Sequence, residues 1–215
     1  MSTAAKRSGT LPAPLSRQLF GVVRPIDGRG LYANPPLEFR RWVTRGALHP
    51  LATGYYAVVP AGNRHSFWLP SLEAAAYGIA AADYGAGQVV LMGLSAARVH
   101  GALPRALATA IVAVPKNRPV LQLRDREGRV VFVRRDTNRL DAERVRTDLG
   151  TALVTTVEQT ILDLAHRPSL GGLDEESTAS VAALWPRCDP AVLDDIAGRQ
   201  RLKAALARAR TWADR

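Results

Sequence analysis

The chain has 215 residues, 47% of them hydrophobic and 22% charged, with a formal net charge of +10. A chain of this length and composition can bury a core, which excludes wholesale disorder, and no apolar run approaches the ~20 residues that cross a bilayer. Met1 to Pro14 is small and polar with Lys6 and Arg7 and lacks the apolar centre of a secretory signal, so residues 1–14 are expected to form a flexible arm on a cytoplasmic protein with no membrane contact. The single cysteine, Cys188, excludes an internal disulfide and a Cys-based zinc site. His49, His65, His100 and His166 show no metal-ligand spacing, so neither a metal nor another cofactor is expected.

The positive charge is unevenly spread. Residues 1–65 hold nine Lys and Arg against two acids; residues 66–150 hold twelve against eight, and residues 151–215 hold eight against nine. An anionic partner is therefore expected, with phosphate contacts concentrated at the N-terminal end.

In chain order, Leu15 to Phe20 is predicted to be a short helix stopped by Gly21, and Val22–Val23 a short strand. Asp27-Gly28-Arg29-Gly30 is turn material, and Asn34-Pro35-Pro36 suits the first turn of a helix. That helix runs from Leu37 to Arg45: Phe39, Trp42 and Val43 share one face, while Arg40, Arg41, Thr44 and Arg45 occupy the other. Gly46 ends it. Ala47 to Leu51 and Tyr55 to Pro60, around Thr53-Gly54, then read as a β-hairpin. A helix with an arginine-bearing outer face running directly into a hairpin is the order of a winged helix-turn-helix, whose helix enters the major groove while the hairpin flanks it. Arg40, Arg41, Thr44 and Arg45 are the candidate DNA-binding residues on that helix, with Thr53 at the hairpin turn and Arg17 on the first helix. Arginine suits such work because its planar fork binds guanine edges or phosphate in bidentate fashion.

Beyond a boundary near residues 61–70, Ser71 is placed to cap an Ala-rich helix over Leu72 to Tyr84 that Gly85 closes. Leu94 to Leu103 is predicted as a helix. Ile111 to Val114 and Val120 to Leu123 are predicted as strands, with Arg129 to Arg134 pairing back across the turn Asp125-Arg126-Glu127-Gly128. After a strand at Ala152 to Thr155, the segment Thr155-Thr156-Val157-Glu158 fits a capping box opening a helix over Val157 to Ala165, with Asp163 in a structural hydrogen bond or salt bridge. Residues 174–186 and 190–213 read as two further helices.

Catalytic motifs are incomplete. Gly93-Leu94-Ser95-Ala96-Ala97 approaches a nucleophile elbow but ends in alanine, and His100 falls on the same predicted helix as Ser95. Gly85-Ala86-Gly87 begins a dinucleotide loop whose third glycine position is Val90. No carboxylate set leading to E-x-K follows His166. No catalytic residue is expected.

The stretch RRWVTRGALHPLATGYYAVVP resembles the end of the winged helix in AbiEi-type antitoxins of type IV toxin–antitoxin systems. GLSAARVHGALP, IVAVP and VTTVEQTILDLA resemble that family's second domain in matching order, so the resemblance runs from about Leu15 to Arg167. The mycobacterial Men-type antitoxins are similar in kind. The resemblance implies an α+β chain: an N-terminal winged helix-turn-helix over residues 15–65, then a mixed α/β antitoxin domain over residues 66–215 with a small antiparallel sheet and a helical C-terminus. It implies a non-enzymatic protein that represses its own operon by binding promoter DNA, a homodimer there being compatible with the reading. It also implies antagonism, direct or functional, of a cognate nucleotidyltransferase toxin. Ser95, His100, Thr156, Glu158, Thr160 and Asp163 match family positions, each with a structural reading as a cap or an internal hydrogen bond. The sequence departs from the family in showing no middle helix between Gly21 and Pro35. The alternative is a transcription regulator whose C-terminal domain serves dimerisation or sensing, without a toxin.

Overall fold

The computed structural model describes residues 10–18, 20–64 and 66–213. Its N-terminal part comprises helix α1 (Ala13–Ser16), strand β1 (Val22–Val23), helix α2 (Pro35–Thr44) and strands β2 (Leu48–Ala52) and β3 (Tyr55–Val58). The strands form an antiparallel sheet in the order β1-β3-β2. Helix α2 begins where it does because the Asn34 side chain accepts a hydrogen bond from the Leu37 N–H at 3.2 Å, and Pro35 and Pro36 occupy first-turn positions whose N–H groups have no helical partner. Its apolar face buries Phe39 and Trp42 against Leu11, Leu15, Val23, Ala47 and Leu48. Gly46 then takes a φ of 68°. A Cβ there would lie 2.5 Å from the Arg64 carbonyl oxygen, so the turn from α2 into β2 is open to glycine alone.

Two expectations for this part are corrected. The first helix spans Ala13–Ser16 rather than 15–20, with Leu19 outside the described residues. Of the expected arm, residues 1–9 are outside the described residues, but Leu11 is buried, so the packed chain starts before residue 14. A single 3-10 turn, Pro25–Gly28, stands where the sequence shows no middle helix.

The second part opens with helix α3 (Leu72–Tyr84), capped by the Ser71 hydroxyl, which accepts from the Ala74 N–H. It continues through β4 (Val90–Leu91), α4 (Gly93–Val99), β5 (Thr109–Val114), β6 (Leu121–Gln122), β7 (Arg129–Arg134), β8 (Ala142–Thr147) and β9 (Gly150–Thr155). Helices α5 (Val157–His166), α6 (Asp174–Leu184), α7 (Pro190–Arg199) and α8 (Lys203–Ala213) complete it. The six strands form one sheet in the order β6-β7-β5-β4-β9-β8. This corrects the expected small antiparallel sheet: β4 runs parallel to β9, and β5 parallel to β7. Strand β5 is buried at every position, as a central strand covered on both faces must be. Strand β8 escaped the sequence reading because it is an edge strand with one aliphatic residue larger than alanine, Val145, among exposed charges that guard the edge.

Helix α3 covers one face of the sheet, and α4 to α8 cover the other. Two local expectations on the second face are corrected. The helix expected over 190–213 is two helices, broken at Gln200–Leu202, where Arg201 has a φ of 58° and the Leu202 N–H turns back to the Ala197 carbonyl at 2.8 Å. The break lets Ile196 and Ala209 both face the same cluster as Ile161. The capping residue of α5 is Thr156, not Thr155; its hydroxyl accepts from the Gln159 N–H, while the Glu158 carboxylate accepts from the Asp189 N–H at 2.9 Å. Helix α4 ends at Val99, short of the expected Leu103.

The segment between β3 and α3 interrupts secondary structure but not the core. Val22, Leu51, Ala52 and Ala57 of the N-terminal sheet share one apolar cluster with Ala75, Ile79 and the sheet residues Val112 and Val130.

Candidate nucleic-acid interface

Helix α2 divides its surface sharply. Phe39 and Trp42 point into the small cluster, and the Trp42 indole N–H donates to the Tyr32 hydroxyl at 2.9 Å. Burial, ahead of its neighbours, holds the Tyr32 hydroxyl above the usual phenol range, so it remains a neutral partner. With the apolar face locked, Arg40, Arg41, Thr44 and Arg45 are all exposed on the opposite side. The Arg45 guanidinium lies over the Trp42 ring, 5.0 Å from its centroid, which aligns it along the helix. Arg41 pairs with Glu38 at 2.5 Å on the surface, a contact worth about 0–1 kcal/mol and readily exchanged for phosphate. The Thr44 hydroxyl donates to the Arg40 carbonyl at 3.2 Å, while the Arg40 guanidinium has no partner among the described residues. Thr53 is exposed at the β2–β3 turn, next to Gly54 with a φ of 83°. Arg17 is exposed at the end of α1, two residues after buried Leu15.

Polar links on both sides of the hairpin fasten this surface to the second part. Asp83 of α3 accepts from Arg24 at 2.9 Å and from the Tyr55 hydroxyl at 2.9 Å, and pairs with Arg118. On the other side of the hairpin, His49 of β2 meets Asp125 at 3.0 Å. Burial alone would raise the Asp125 carboxyl, but hydrogen bonds and charge from His49 and Arg126 outweigh it and hold the group below the usual carboxylate range. Neither link is legible in the sequence, because each joins residues at least 28 positions apart, such as Tyr55 and Asp83, or His49 and Asp125.

The residues that approached a catalytic set are not brought together. The Ser95 hydroxyl is buried and accepts from the Ile111 N–H at 2.8 Å. His100 contacts the Thr155 carbonyl at 2.7 Å. Thr160 and Thr155 share a hydrogen bond at 2.7 Å. Asp163, fully buried, takes a bond from the Gln159 amide at 3.1 Å and pairs with Arg135 at 3.4 Å, as its structural reading requires. Among the described residues no group of three or more His, Cys, Asp or Glu could hold a metal ion, and no helix is long and apolar enough to cross a membrane.

A crystal structure of the RV2827C protein from Mycobacterium tuberculosis is similar in fold, with a TM-score of 0.58 and 21% identity over 90% of this chain and 71% of that one. No curated protein matches the chain. The family model for the AbiEi antitoxin C-terminal domain matches residues 88–212, more than half of the chain, from β4 through α8. The chain belongs to the AbiEi antitoxin family.

Proposed function

We propose that this antitoxin belongs to a type IV system, restrains a cognate nucleotidyltransferase toxin through its second part, without catalysis, and represses its own operon through its N-terminal part. Membership of the family implies a toxin partner in general. The DNA-binding half of the reading is carried by one observation: α2 buries Phe39 and Trp42 while turning Arg40, Arg41 and Arg45 to solvent, directly before the β2–β3 hairpin. Helix, strand, short turn, helix and hairpin, with the first strand closing on the third, is the order a winged helix uses. Arg17 and Thr53 flank the helix in this reading and contact backbone phosphates.

The test is a gel shift with a duplex from the chain's own promoter region. Arg40→Ala, Arg41→Ala and Arg45→Ala are each expected to weaken binding. A base-reading arginine costs about 1–3 kcal/mol at one base pair, and a phosphate-contacting one lowers affinity on all sequences alike. Unchanged shifts for all three variants would remove α2 from the mechanism.

A further inference from the structure

The β2–β3 hairpin does not stand free. Its outer strand, β2, is the edge of the N-terminal sheet, and the residues before and within the β6–β7 turn lie along that edge. The Arg124 N–H donates to the Leu51 carbonyl at 2.8 Å, and Asp125 holds His49. Leu51, Leu123 and Val130 continue the same apolar cluster beneath. Two polar contacts and a shared apolar cluster thus tie the turn to the hairpin.

The arginines of this turn have different fates. Arg126 is spent on Asp125, with its guanidinium 2.9 Å from the carboxylate. Arg129 donates to the Thr109 hydroxyl at 3.2 Å. Arg124 is exposed, and its side chain has no partner among the described residues. Its backbone is bonded only two positions from Thr53, at the hairpin turn. An unpaired guanidinium carried on a backbone fixed beside a hairpin proposed to flank DNA is placed to take a phosphate, since no backbone ordering remains to be done on binding and only the side chain is left to order.

We infer that the β6–β7 turn is a second phosphate-contacting element, with Arg124 as its contact, so that the nucleic-acid surface crosses from the N-terminal part into the family domain. This rests on the DNA-binding reading of α2. In the sequence Arg124 stands 79 positions after Arg45 and reads as ordinary turn charge. The contact carries no base information and acts on every sequence alike.

The experiment is a salt titration of binding, by fluorescence anisotropy, to the promoter duplex and to an unrelated duplex of equal length. It compares the full chain with Arg40→Ala, Arg124→Ala, Arg124→Lys and Arg134→Ala. Arg134 is exposed, has no side-chain partner among the described residues, and lies five positions along β7 from Arg129, roughly 16 Å away by strand geometry. The Leu51 bond is made by the Arg124 backbone, so the substitutions leave it intact. Arg124→Ala is expected to lower affinity for both duplexes roughly fivefold to tenfold near 0.1 M salt and to reduce the salt slope by about 0.9. Arg124→Lys is expected to keep most of the binding, and Arg134→Ala all of it. If Arg40→Ala weakens binding while Arg124→Ala does not, or if Arg134→Ala matches Arg124→Ala, this inference is overturned and the α2 reading stands. If the unmodified chain binds neither duplex, the α2 reading fails and takes the inference with it.

Discussion

Gly78→Ala is expected to destabilise the chain by about 1–2 kcal/mol, although the same exchange in a free helix would stabilise it. The alanine Cβ would lie 2.3 Å from Val22 Cγ2 and 2.9 Å from the Phe20 carbonyl oxygen. Gly78 is the point where α3 passes under the N-terminal sheet, and its missing side chain sets the approach of the two parts. Overpacking a closed core costs about 1–3 kcal/mol, against which the helix regains about 0.5–1 kcal/mol from losing a glycine. For a chain of this size the net change lowers Tm by roughly 3–6 °C, read by thermal unfolding. Val22→Ala removes the nearest obstacle but leaves the Phe20 carbonyl, so the double variant should be more stable than the sum of the two single losses by about 1 kcal/mol. Strict additivity would show that the contact at Gly78 does not control the junction.

The second large effect concerns pH. Burial raises the Asp163 carboxyl to about 6, against the charge of Arg135 and the hydrogen bonds from Gln159 and Arg135. One of its oxygens, Oδ2, has no hydrogen-bond partner, which is why desolvation prevails. The ordinary value is 3.8. Between these values the folded chain holds a proton that the unfolded chain has released, so the stability this group contributes is full below the lower value and is lost as pH rises through the upper one. Urea unfolding is expected to show wild type losing on the order of 2 kcal/mol relative to Asp163→Asn between about pH 4.5 and 7.5. The comparison with the variant cancels the opposite contribution of Asp125, whose carboxyl is held low by His49 and Arg126. A difference that stays flat across the window would show that Arg135 compensates Asp163 fully.

What could be read from the sequence was local. The 3.6-residue spacing of Phe39, Trp42 and Val43, the prolines Pro35 and Pro36 and Gly46 define α2 to within two residues, and Ser71 and Gly85 bound α3 at Leu72–Tyr84. What could not be read was set by tertiary contact. Strand β8 exists because β9 pairs with it along six positions, not because its own residues alternate. The break between α7 and α8 rests on Arg201, a residue type that gives no warning of a positive φ. The candidate arginines on α2 were legible because they lie on one element with a clear apolar face. Arg24, Asp83 and Arg118 were not, because the contacts that join them link positions far apart in the chain, nor was Arg124, whose place beside β2 is set by its backbone bond to Leu51.

The most direct measurement is growth of cells that express the neighbouring toxin gene from an unrelated promoter, together with this chain or its Arg40→Ala/Arg41→Ala/Arg45→Ala variant. With the toxin's own promoter absent, rescue reports restraint of the toxin alone. Both forms are expected to restore growth, since the arginines lie outside the matched residues 88–212. No rescue by the unmodified chain would contradict the antitoxin role, and rescue lost in the variant would contradict the division of labour between the two parts.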